Sequence, residues 1–322
     1  MTDILLVSLG STAGLRASDA ALAESLRRAG ASVAVAQAAP RRDVRTLALT
    51  DYVWAQSARA AASRALAEHQ PRAVIYGAMG AALRWPRPGA IRLDAPMAAN
   101  RPGRHGVWQR PAERRRVREA PLLIPVSART LDDVPHPRAD AVVVPIPVAP
   151  SGPIAGPRDI AAITYAANPQ KKGLDRVLDA WARARRDGEE LWVAGTEPQA
   201  AVEGVRWAGR LAPDAYRALL RRARVFVTAP RQEDYGVAQL EALADGCRLV
   251  TTPAPGPYEA LPLARELDPR LVSDDLATAL RTALDDQHPA YVVHAATLIE
   301  RFSPTAVDRV VAEELLPRLL PG

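Results

Sequence analysis

The sequence is poor in the residues that build several familiar kinds of site. Its one cysteine, Cys247, excludes an internal disulfide framework and a zinc site made of clustered thiolates. The five histidines show no metal-ligand spacing, and no D-x-D is placed for a divalent ion. No apolar run approaches the roughly 20 residues that span a bilayer. The first such run, residues 4–7, is too short for a signal-peptide core and has no basic flank. These absences predict a cytoplasmic protein without a metal.

A dinucleotide-binding fingerprint is also missing. No G-x-G-x-x-G follows the first predicted strand, and the second ends at Gln37 rather than at an acidic residue. A Rossmann oxidoreductase or epimerase is therefore disfavoured.

Lysine is the scarcest charged residue. Of the 42 basic side chains only Lys171 and Lys172 are lysines, and they are adjacent; there are likewise only two asparagines, Asn100 and Asn168. Lysine is a compact point charge on a flexible stem, whereas arginine is a planar fork. In a chain that otherwise uses arginine, the pair indicates a place where arginine does not serve. Chance is the alternative.

Length and composition fit a globular protein of two domains. The 322 residues are 48% hydrophobic and 24% charged. Charge is uneven: residues 1–157 carry 21 basic and 12 acidic side chains, a net +9, whereas residues 158–322 carry 21 and 24, a net −3. The first half therefore either meets an anionic partner or has an Arg-rich solvated surface.

Strand-like runs alternate with helical patterns, which is typical of parallel sheets with crossover helices. The patterns predict strands at 3–9, 32–37, 73–76, 90–93, 122–126, 141–144, 160–166, 190–194, 224–228 and 248–251. They predict helices at about 18–29, 107–119, 171–186, 213–222 and 236–245. The segment 145–158 holds five prolines and two glycines and is the predicted linker. We expect domains at 1–150 and 151–302, and a C-terminal helix at 303–322 that returns to the first domain.

The most informative segment is TAPRQEDYGVAQLEALADG, residues 228–246. It follows a strand and opens a helix at Gly236, where backbone N–H groups and the helix dipole favour a phosphate. Glu233 lies in the loop, and Glu241 lies about one turn into the helix. Carboxylates on both sides of an anion site suit the hydroxyls at the two ends of a nucleotide sugar.

This segment resembles the E-x7-E signature of retaining glycosyltransferases of the large fourth family, the glycosyl transferases group 1. The similarity extends over nearly all of 160–285 and includes K-K-G-L, V-A-G at 193–195, W-A-G-R at 207–210 and LVTTPAPGPYEA at 249–260. It implies the GT-B fold, two doubly wound α/β Rossmann-like domains facing a cleft. It also implies transfer of a sugar from a nucleoside-diphosphate sugar to a hydroxyl with retention of configuration.

The resemblance assigns roles in the second domain. Glu241 would bind the nucleotide ribose, Glu233 the donor sugar and Lys172 the diphosphate, with Gly236 and Val237 at the helix N-terminus. The family usually has an Arg five residues before this lysine, where this chain has Ala167. Asn168 or Arg231 could replace it. No cofactor is implied, because the nucleotide sugar is a co-substrate.

Two features of the first domain are less specific. The loop 10–14 occupies the place of the family's Gly-rich loop, so Gly14 and Arg16 are candidate phosphate contacts, although a plain strand-to-helix turn fits equally well. Asp94 stands where the family often has an active-site His. It could accept a proton from the acceptor, or it could cap the loop after its strand.

Residues 84–118 contain ten arginines, interleaved with Trp85 and Trp108. The predicted helix at 107–119 within this segment suits an anionic acceptor such as a phosphorylated lipid or an acidic glycan, with Arg114, Arg115 and Arg116 as the contacts. Peripheral association with the inner membrane face is a further hypothesis. An Arg-coated helix whose stems cover apolar surface is the alternative. A nucleic-acid partner is not expected. A non-catalytic nucleotide-sugar or polyanion-binding protein remains the alternative function.

Overall fold

The computed structural model describes residues 2–42, 44–101, 103–132, 134, 140–153, 157–199, 201–286 and 288–321, without the side chains of 98 and 99. Residues 154–156 of the predicted linker lie outside this part. The chain forms two compact units: Met1–Pro147 with Pro304–Gly322, and Val148–Ser303. We call them unit 1 and unit 2.

Unit 1 contains a parallel sheet with helices between its strands. In chain order its elements are β1 Ile4–Ser8, α1 Ala13–Arg28, β2 Val33–Gln37, α2 Leu47–His69, β3 Ala73–Tyr76, α3 Met79–Ala82, β4 Ala90–Leu93, α4 Met97–Asn100, a 3-10 turn Gly103–Gly106, α5 Gln109–Glu119, β5 Leu122–Pro125, α6 Ala128–Asp132 and β6 Asp140–Ala141. After unit 2 the chain adds α13 Pro304–Val310, a π turn Val311–Leu315 and α14 Leu316–Leu319. The strand order is β2-β1-β3-β4-β5-β6, and every pairing is parallel.

Unit 2 repeats this design with five strands. Its elements are β7 Ile160–Tyr165, α7 Leu174–Ala184, β8 Leu191–Ala194, β9 Val205–Gly209, α8 Pro213–Arg222, β10 Ala223–Thr228, α9 Val237–Ala244, β11 Arg248–Thr251, α10 Ala260–Leu267, a 3-10 turn Pro269–Leu271, α11 Leu276–Asp285, α12 Pro289–Ile299 and a 3-10 turn Glu300–Phe302. The strand order is β11-β10-β7-β8-β9, all parallel. The carboxyl ends of β7, β10 and β11 therefore share one sheet edge, where such folds bind ligands.

The central strands are continuous apolar runs because helices cover both faces of each sheet. Ile4 to Val7 of β1 are fully buried, and their side chains alternate between two hydrophobic clusters. The cluster beneath β1 on the second face also includes Val307, Val311 and Leu315, so the last helical segments pack within unit 1.

Several predicted elements need correction. The predicted helix at 18–29 begins at Ala13, because the Thr12 side chain caps it by accepting from the Leu15 N–H at 3.2 Å. The predicted helix at 171–186 begins only at Leu174, after Gly173 in a left-handed conformation with φ of 64°. The predicted strand at 141–144 is shorter as an assigned strand, Asp140–Ala141, although the Val142 and Val144 N–H groups still donate to the Leu123 and Pro125 carbonyls of β5 at 3.0 and 2.9 Å.

Several elements were missed: strand β9, the long helix α2, the short helices α3, α4 and α6, and helices α10, α11 and α12. Helix α2 and strand β9 show why. Helix α2 buries alanines on its inner face, which gives little contrast between apolar and polar positions. Strand β9 is an edge strand whose residues are mostly half-buried, so it lacks the apolar run that marks the central strands. Among the described residues, no helix is both long and apolar enough to cross a membrane.

Candidate functional site

Glu233 lies in the loop between β10 and α9 and is 4% exposed. Its backbone is fixed first: its N–H donates to the Pro255 carbonyl at 3.0 Å, and a side chain at Gly256 would meet the Glu233 carbonyl at 2.2 Å. A carboxylate removed from water needs a charged partner and further donors. Glu233 has both, because its Oε2 accepts hydrogen bonds from the Lys172 ammonium at 2.6 Å and from the Gln239 amide at 2.9 Å.

Lys172 lies in the turn between β7 and α7, and β7 is the neighbour of β10 in the sheet. The turn is pressed against the Glu233 loop: the Arg231 N–H donates to the Lys171 carbonyl at 2.9 Å, and a Cβ at Gly173 would lie 1.9 Å from the Ala229 carbonyl oxygen. The adjacent lysine pairs separately, with Lys171 Nζ 2.5 Å from Asp234 Oδ2. Each lysine therefore has its own acid, and only Lys172 contacts the buried glutamate.

The N-terminus of α9 lies three residues beyond Glu233. Gly236 caps it with φ of 96° and ψ of 40°, a conformation that favours glycine, and no side chain caps the helix there. A Cβ at Gly236 would approach the Tyr258 ring at 3.0 Å. The first-turn N–H groups, starting at Val237, have no carbonyl partner within the helix, which makes this terminus suited to an anion.

Glu241 lies on α9, and its side chain is 27% exposed. Burial raises the pKa of Glu241, whereas the neighbouring Arg217 lowers it and Asp245 raises it further. Arg217 Nη1 lies 3.5 Å from Glu241 Oε1 and Nε lies 2.6 Å from Asp245 Oδ2. One arginine thus holds two acids on the same helix end.

Asn168 and Arg231, the candidates to replace the missing arginine, are engaged in the local fold. The Asn168 side chain accepts from the Lys171 N–H at 3.0 Å and stabilises the turn. The Arg231 guanidinium pairs with Asp175 at 2.6 Å and donates to the Gln170 carbonyl at 2.9 Å. Both residues border the Lys172 turn, so they shape it whether or not they contact a ligand.

In unit 1 the two candidate phosphate contacts are helical, because α1 starts at Ala13. Gly14 is in its first turn with open space where a side chain would be. Arg16 Nη1 donates to the Gly10 carbonyl at 2.7 Å, so this side chain folds back on the loop between β1 and α1.

Asp94 follows β4 at the carboxyl edge of the first sheet and is half-buried. Its Oδ1 accepts from the Ala95 N–H at 2.8 Å, and its carbonyl accepts from the Thr130 hydroxyl at 3.2 Å. Its charge also acts on Asp19, a buried acid that Ser8 contacts at 2.5 Å; burial is the main reason that the pKa of Asp19 is raised. The structure therefore gives Asp94 the predicted loop-capping contact, and its role as a base stays a prediction.

The three arginines of α5 are not equivalent. Arg115 and Arg116 both pair with Glu119, at 2.6 and 2.5 Å. Arg116 also donates to the Leu83 carbonyl at 3.1 Å and lies over the Trp85 ring, and its side chain is 16% exposed. This geometry favours the packing alternative for Arg116, and its contact with an anionic acceptor stays a prediction. Arg114 is exposed, and one turn later so is Arg118.

Residues 158–286, most of unit 2, match the family model described as glycosyl transferases group 1. Unit 2 carries a group 1 glycosyltransferase domain. The match covers the Lys172 turn, the Glu233 loop and helix α9. No curated protein matches the chain in sequence.

Solved structures share the fold over the whole chain. WaaG, a glycosyltransferase involved in lipopolysaccharide biosynthesis, superposes with a TM-score of 0.73 and 16% identity over 100% of both chains. HepE from Anabaena, in complex with UDP and glucose, gives 0.69 and 14% over 98% of this chain and 99% of its own. The trehalose-6-phosphate protein of E. coli bound with UDP-2-fluoro glucose gives 0.68 and 11% over 98% and 99%. The fold is thus GT-B, and together with the domain match it indicates a glycosyltransferase.

Two residues of this glycosyltransferase domain were missed from the sequence. Gln239, buried inside α9, links Glu233 to the Tyr258 hydroxyl, which in turn contacts the Thr251 hydroxyl at 2.7 Å. Its position six residues after Glu233 could have suggested the contact. Arg217 comes from α8 and carries no sequence signal, since it is one arginine among many. Among the described residues, no three His, Cys, Asp or Glu side chains come together as a metal site.

Proposed function

We propose that this protein transfers a sugar from a nucleoside-diphosphate sugar to an acceptor hydroxyl with retention of anomeric configuration. The observation that carries the proposal is the 2.6 Å pair between Lys172 and buried Glu233 beside the uncapped N-terminus of α9. A cation and a set of free N–H groups suit a diphosphate, and a carboxylate next to them suits the hydroxyls of the attached sugar.

In the proposed reaction the bond between the anomeric carbon and the diphosphate oxygen breaks as the bond to the acceptor oxygen forms on the same face. Negative charge develops on the leaving diphosphate, where Lys172 and the N–H groups at Gly236 and Val237 stabilise it. The acceptor proton passes to the leaving phosphate oxygen or to Asp94. Neither route requires an enzymic nucleophile or a metal.

Glu241, eight residues after Glu233, would bind the ribose at the other end of the donor. Its partly buried carboxylate has hydrogen-bond acceptor capacity left for two vicinal hydroxyls. Because HepE and the trehalose-6-phosphate protein are described with UDP and UDP-2-fluoro glucose, a UDP-sugar is the first donor to test.

The acceptor is proposed to be anionic and to bind unit 1 near α5, in the cytoplasm or at the inner membrane face. This helix exposes Arg114 and Arg118, and the region around it is rich in arginine. WaaG, whose fold is similar, is involved in lipopolysaccharide biosynthesis, so anionic glycolipids are reasonable acceptors to try.

The first experiment is a thermal-shift panel of UDP-, GDP- and ADP-sugars. A ligand at about 100 times its dissociation constant adds roughly 2.7 kcal/mol to the unfolding free energy. At an unfolding entropy of about 2.1 cal/mol/K per residue, that amount raises the melting temperature by about 4 °C for a chain of this size. Absence of any shift would contradict the proposal. A shift without sugar transfer or donor hydrolysis would favour a binding protein, and loss of activity in EDTA would contradict the metal-free route.

A further inference from the structure

Arg217, on helix α8, is held in place by contacts with two other segments of unit 2. Its Nε lies 2.6 Å from Asp245 Oδ2, and its Nη2 donates to the Ala149 carbonyl at 2.8 Å. Asp245 is itself fixed, since its Oδ1 accepts from the Ser151 N–H at 2.8 Å and its side chain is fully buried. These contacts leave Nη1 directed at Glu241 Oε1, 3.5 Å away.

Glu241 lies in a polar corner made by three elements. Tyr165 is the last residue of β7 and Tyr216 lies on α8, and the centroids of their rings are 5.0 Å apart. Burial is the main cause that raises the pKa of both phenols, and the charge of Glu241 is the second. Behind Asp245, Arg158 donates to its carbonyl at 2.7 Å. Among the described residues, the titratable groups that interact electrostatically with Glu241 include Tyr165, Tyr216, Arg217 and Asp245, and Arg210 acts in turn on Tyr165.

We propose that Arg217 is a positioning residue for Glu241: it keeps this carboxylate ionised and oriented so that its oxygens accept hydrogen bonds from the two hydroxyls of the donor ribose. The inference rests on the proposed function, in which Glu241 binds the ribose. It goes beyond it by assigning the discrimination of ribose to a residue outside the E-x7-E segment.

The electrostatics give the inference a direction. Burial and Asp245 raise the pKa of Glu241, and Arg217 is the group that opposes them. Ionised Glu241 binds hydroxyls, so nucleotide affinity falls as pH falls through its pKa. Removing Arg217 raises that pKa further, and the fall in affinity then begins at a higher pH.

The test compares each of UDP, GDP and ADP with its 2′-deoxy counterpart by calorimetric titration between pH 5.5 and 8.5. The variants are Arg217→Gln, Arg217→Lys, Glu241→Gln and the double variant Arg217→Gln/Glu241→Gln. Arg221→Gln is the matched control, because Arg221 lies on the same helix and contacts the Ser151 hydroxyl rather than Glu241.

For the nucleotide that binds, Arg217→Gln should lose about tenfold of ribonucleotide affinity and clearly less of the 2′-deoxynucleotide affinity, because the deoxynucleotide offers Glu241 only the 3′-hydroxyl. The pH at which the nucleotide affinity of this variant has fallen by half, its midpoint, should be higher than in the wild type. Arg217→Lys should keep the midpoint and lose ribose discrimination only several-fold, because an ammonium retains the charge but not the fork. In the Glu241→Gln background, Arg217→Gln should have no further effect on discrimination.

Each failure points to a different claim. If Glu241→Gln keeps the wild-type discrimination, the ribose role in the proposed function is wrong. If Glu241→Gln loses it but Arg217→Gln keeps both discrimination and midpoint, only the role of Arg217 is wrong. Equal weakening of both nucleotides by Arg217→Gln would show a merely structural role. Should Arg217→Gln not fold, unchanged discrimination in Arg217→Lys overturns the inference.

Discussion

The two units differ in how their candidate residues are engaged. In unit 2 two principal candidates bind each other, since Lys172 pairs with Glu233 and Gln239 supports the same carboxylate, while Asn168 and Arg231 serve the local fold. In unit 1 they mostly serve the local fold: Arg16 returns to the Gly10 carbonyl, and Arg116 bonds to Leu83 and Glu119. Charged groups that meet across different elements indicate a preorganised site, whereas groups satisfied nearby indicate structural roles.

The difference agrees with the chemistry proposed for each unit. A diphosphate and its sugars make the same demands in every donor, namely a cation, free N–H groups and hydroxyl acceptors. Acceptors vary, so a unit that binds them need not keep a recognisable motif. The family match, which covers residues 158–286, lies entirely in unit 2.

The largest effect is expected at Lys172. Lys172→Ala should lower kcat by about 10²- to 10³-fold, because it removes a preorganised charge at the leaving diphosphate. Lys171→Ala is the matched control, since its ammonium pairs with Asp234 instead. Initial rates of sugar transfer measure both. Equal losses in the two variants would show that the pair acts only as a patch of positive charge.

In unit 1 the largest effect is expected at Asp94. Asp94→Asn should lower kcat by about 10²-fold if this carboxylate accepts the acceptor proton. Asparagine can still accept from the Ala95 N–H, so the capping contact is kept while the base is removed. Nucleotide affinity should not change. Undiminished turnover would leave Asp94 as a loop cap and make the leaving diphosphate the proton acceptor.

The sequence predicted unit 2 better than unit 1 because its signals are local. The E-x7-E segment placed Glu233, Gly236 and Glu241 on one loop and helix, which is the arrangement observed, although their roles stay predictions. It could not place Arg217, whose partners lie 28 residues ahead in Asp245 and 68 residues back in Ala149. Such long-range contacts depend on the packing of α8, not on any spacing in the chain.

Unit 1 shows where periodicity fails. Helix α2 packs through alanines, among them Ala55, Ala58 and Ala62, which are too small and too common in this chain to mark a face. The start of α1 was predicted at residue 18 instead of Ala13. The prediction treated the segment around Gly14 as a loop and overlooked the Thr12 side chain, which caps the helix. Arginines give the same difficulty on α5, since sequence cannot tell a packed guanidinium from an exposed one.

A smaller effect should separate the two glutamates of unit 2. Glu233→Gln should lower kcat by tens of fold and leave the affinity for the bare nucleoside diphosphate nearly unchanged, because in the proposed function Glu233 binds the sugar, where charge develops. Glu241→Ala should instead weaken that affinity by about tenfold. Calorimetry with the nucleoside diphosphate separates the two roles. Equal loss of affinity in both variants would show that the assignment of roles is wrong.

The smallest effect is expected on α5. Arg114→Gln with Arg118→Gln should raise the acceptor KM about three- to tenfold without changing nucleotide affinity, since each exposed guanidinium contributes at most about 1 kcal/mol near an anionic surface and salt lowers that contribution. The effect should fade as salt rises, because exposed charges are screened over about 8–10 Å at physiological ionic strength. The matched control is Arg115→Gln, whose guanidinium is already paired with Glu119. Arg116→Gln should lower the melting temperature instead, because it loses the Leu83 carbonyl contact and the Trp85 ring. A double variant with an unchanged acceptor KM would show that α5 is ordinary solvated surface and that the anionic acceptor, if there is one, binds elsewhere.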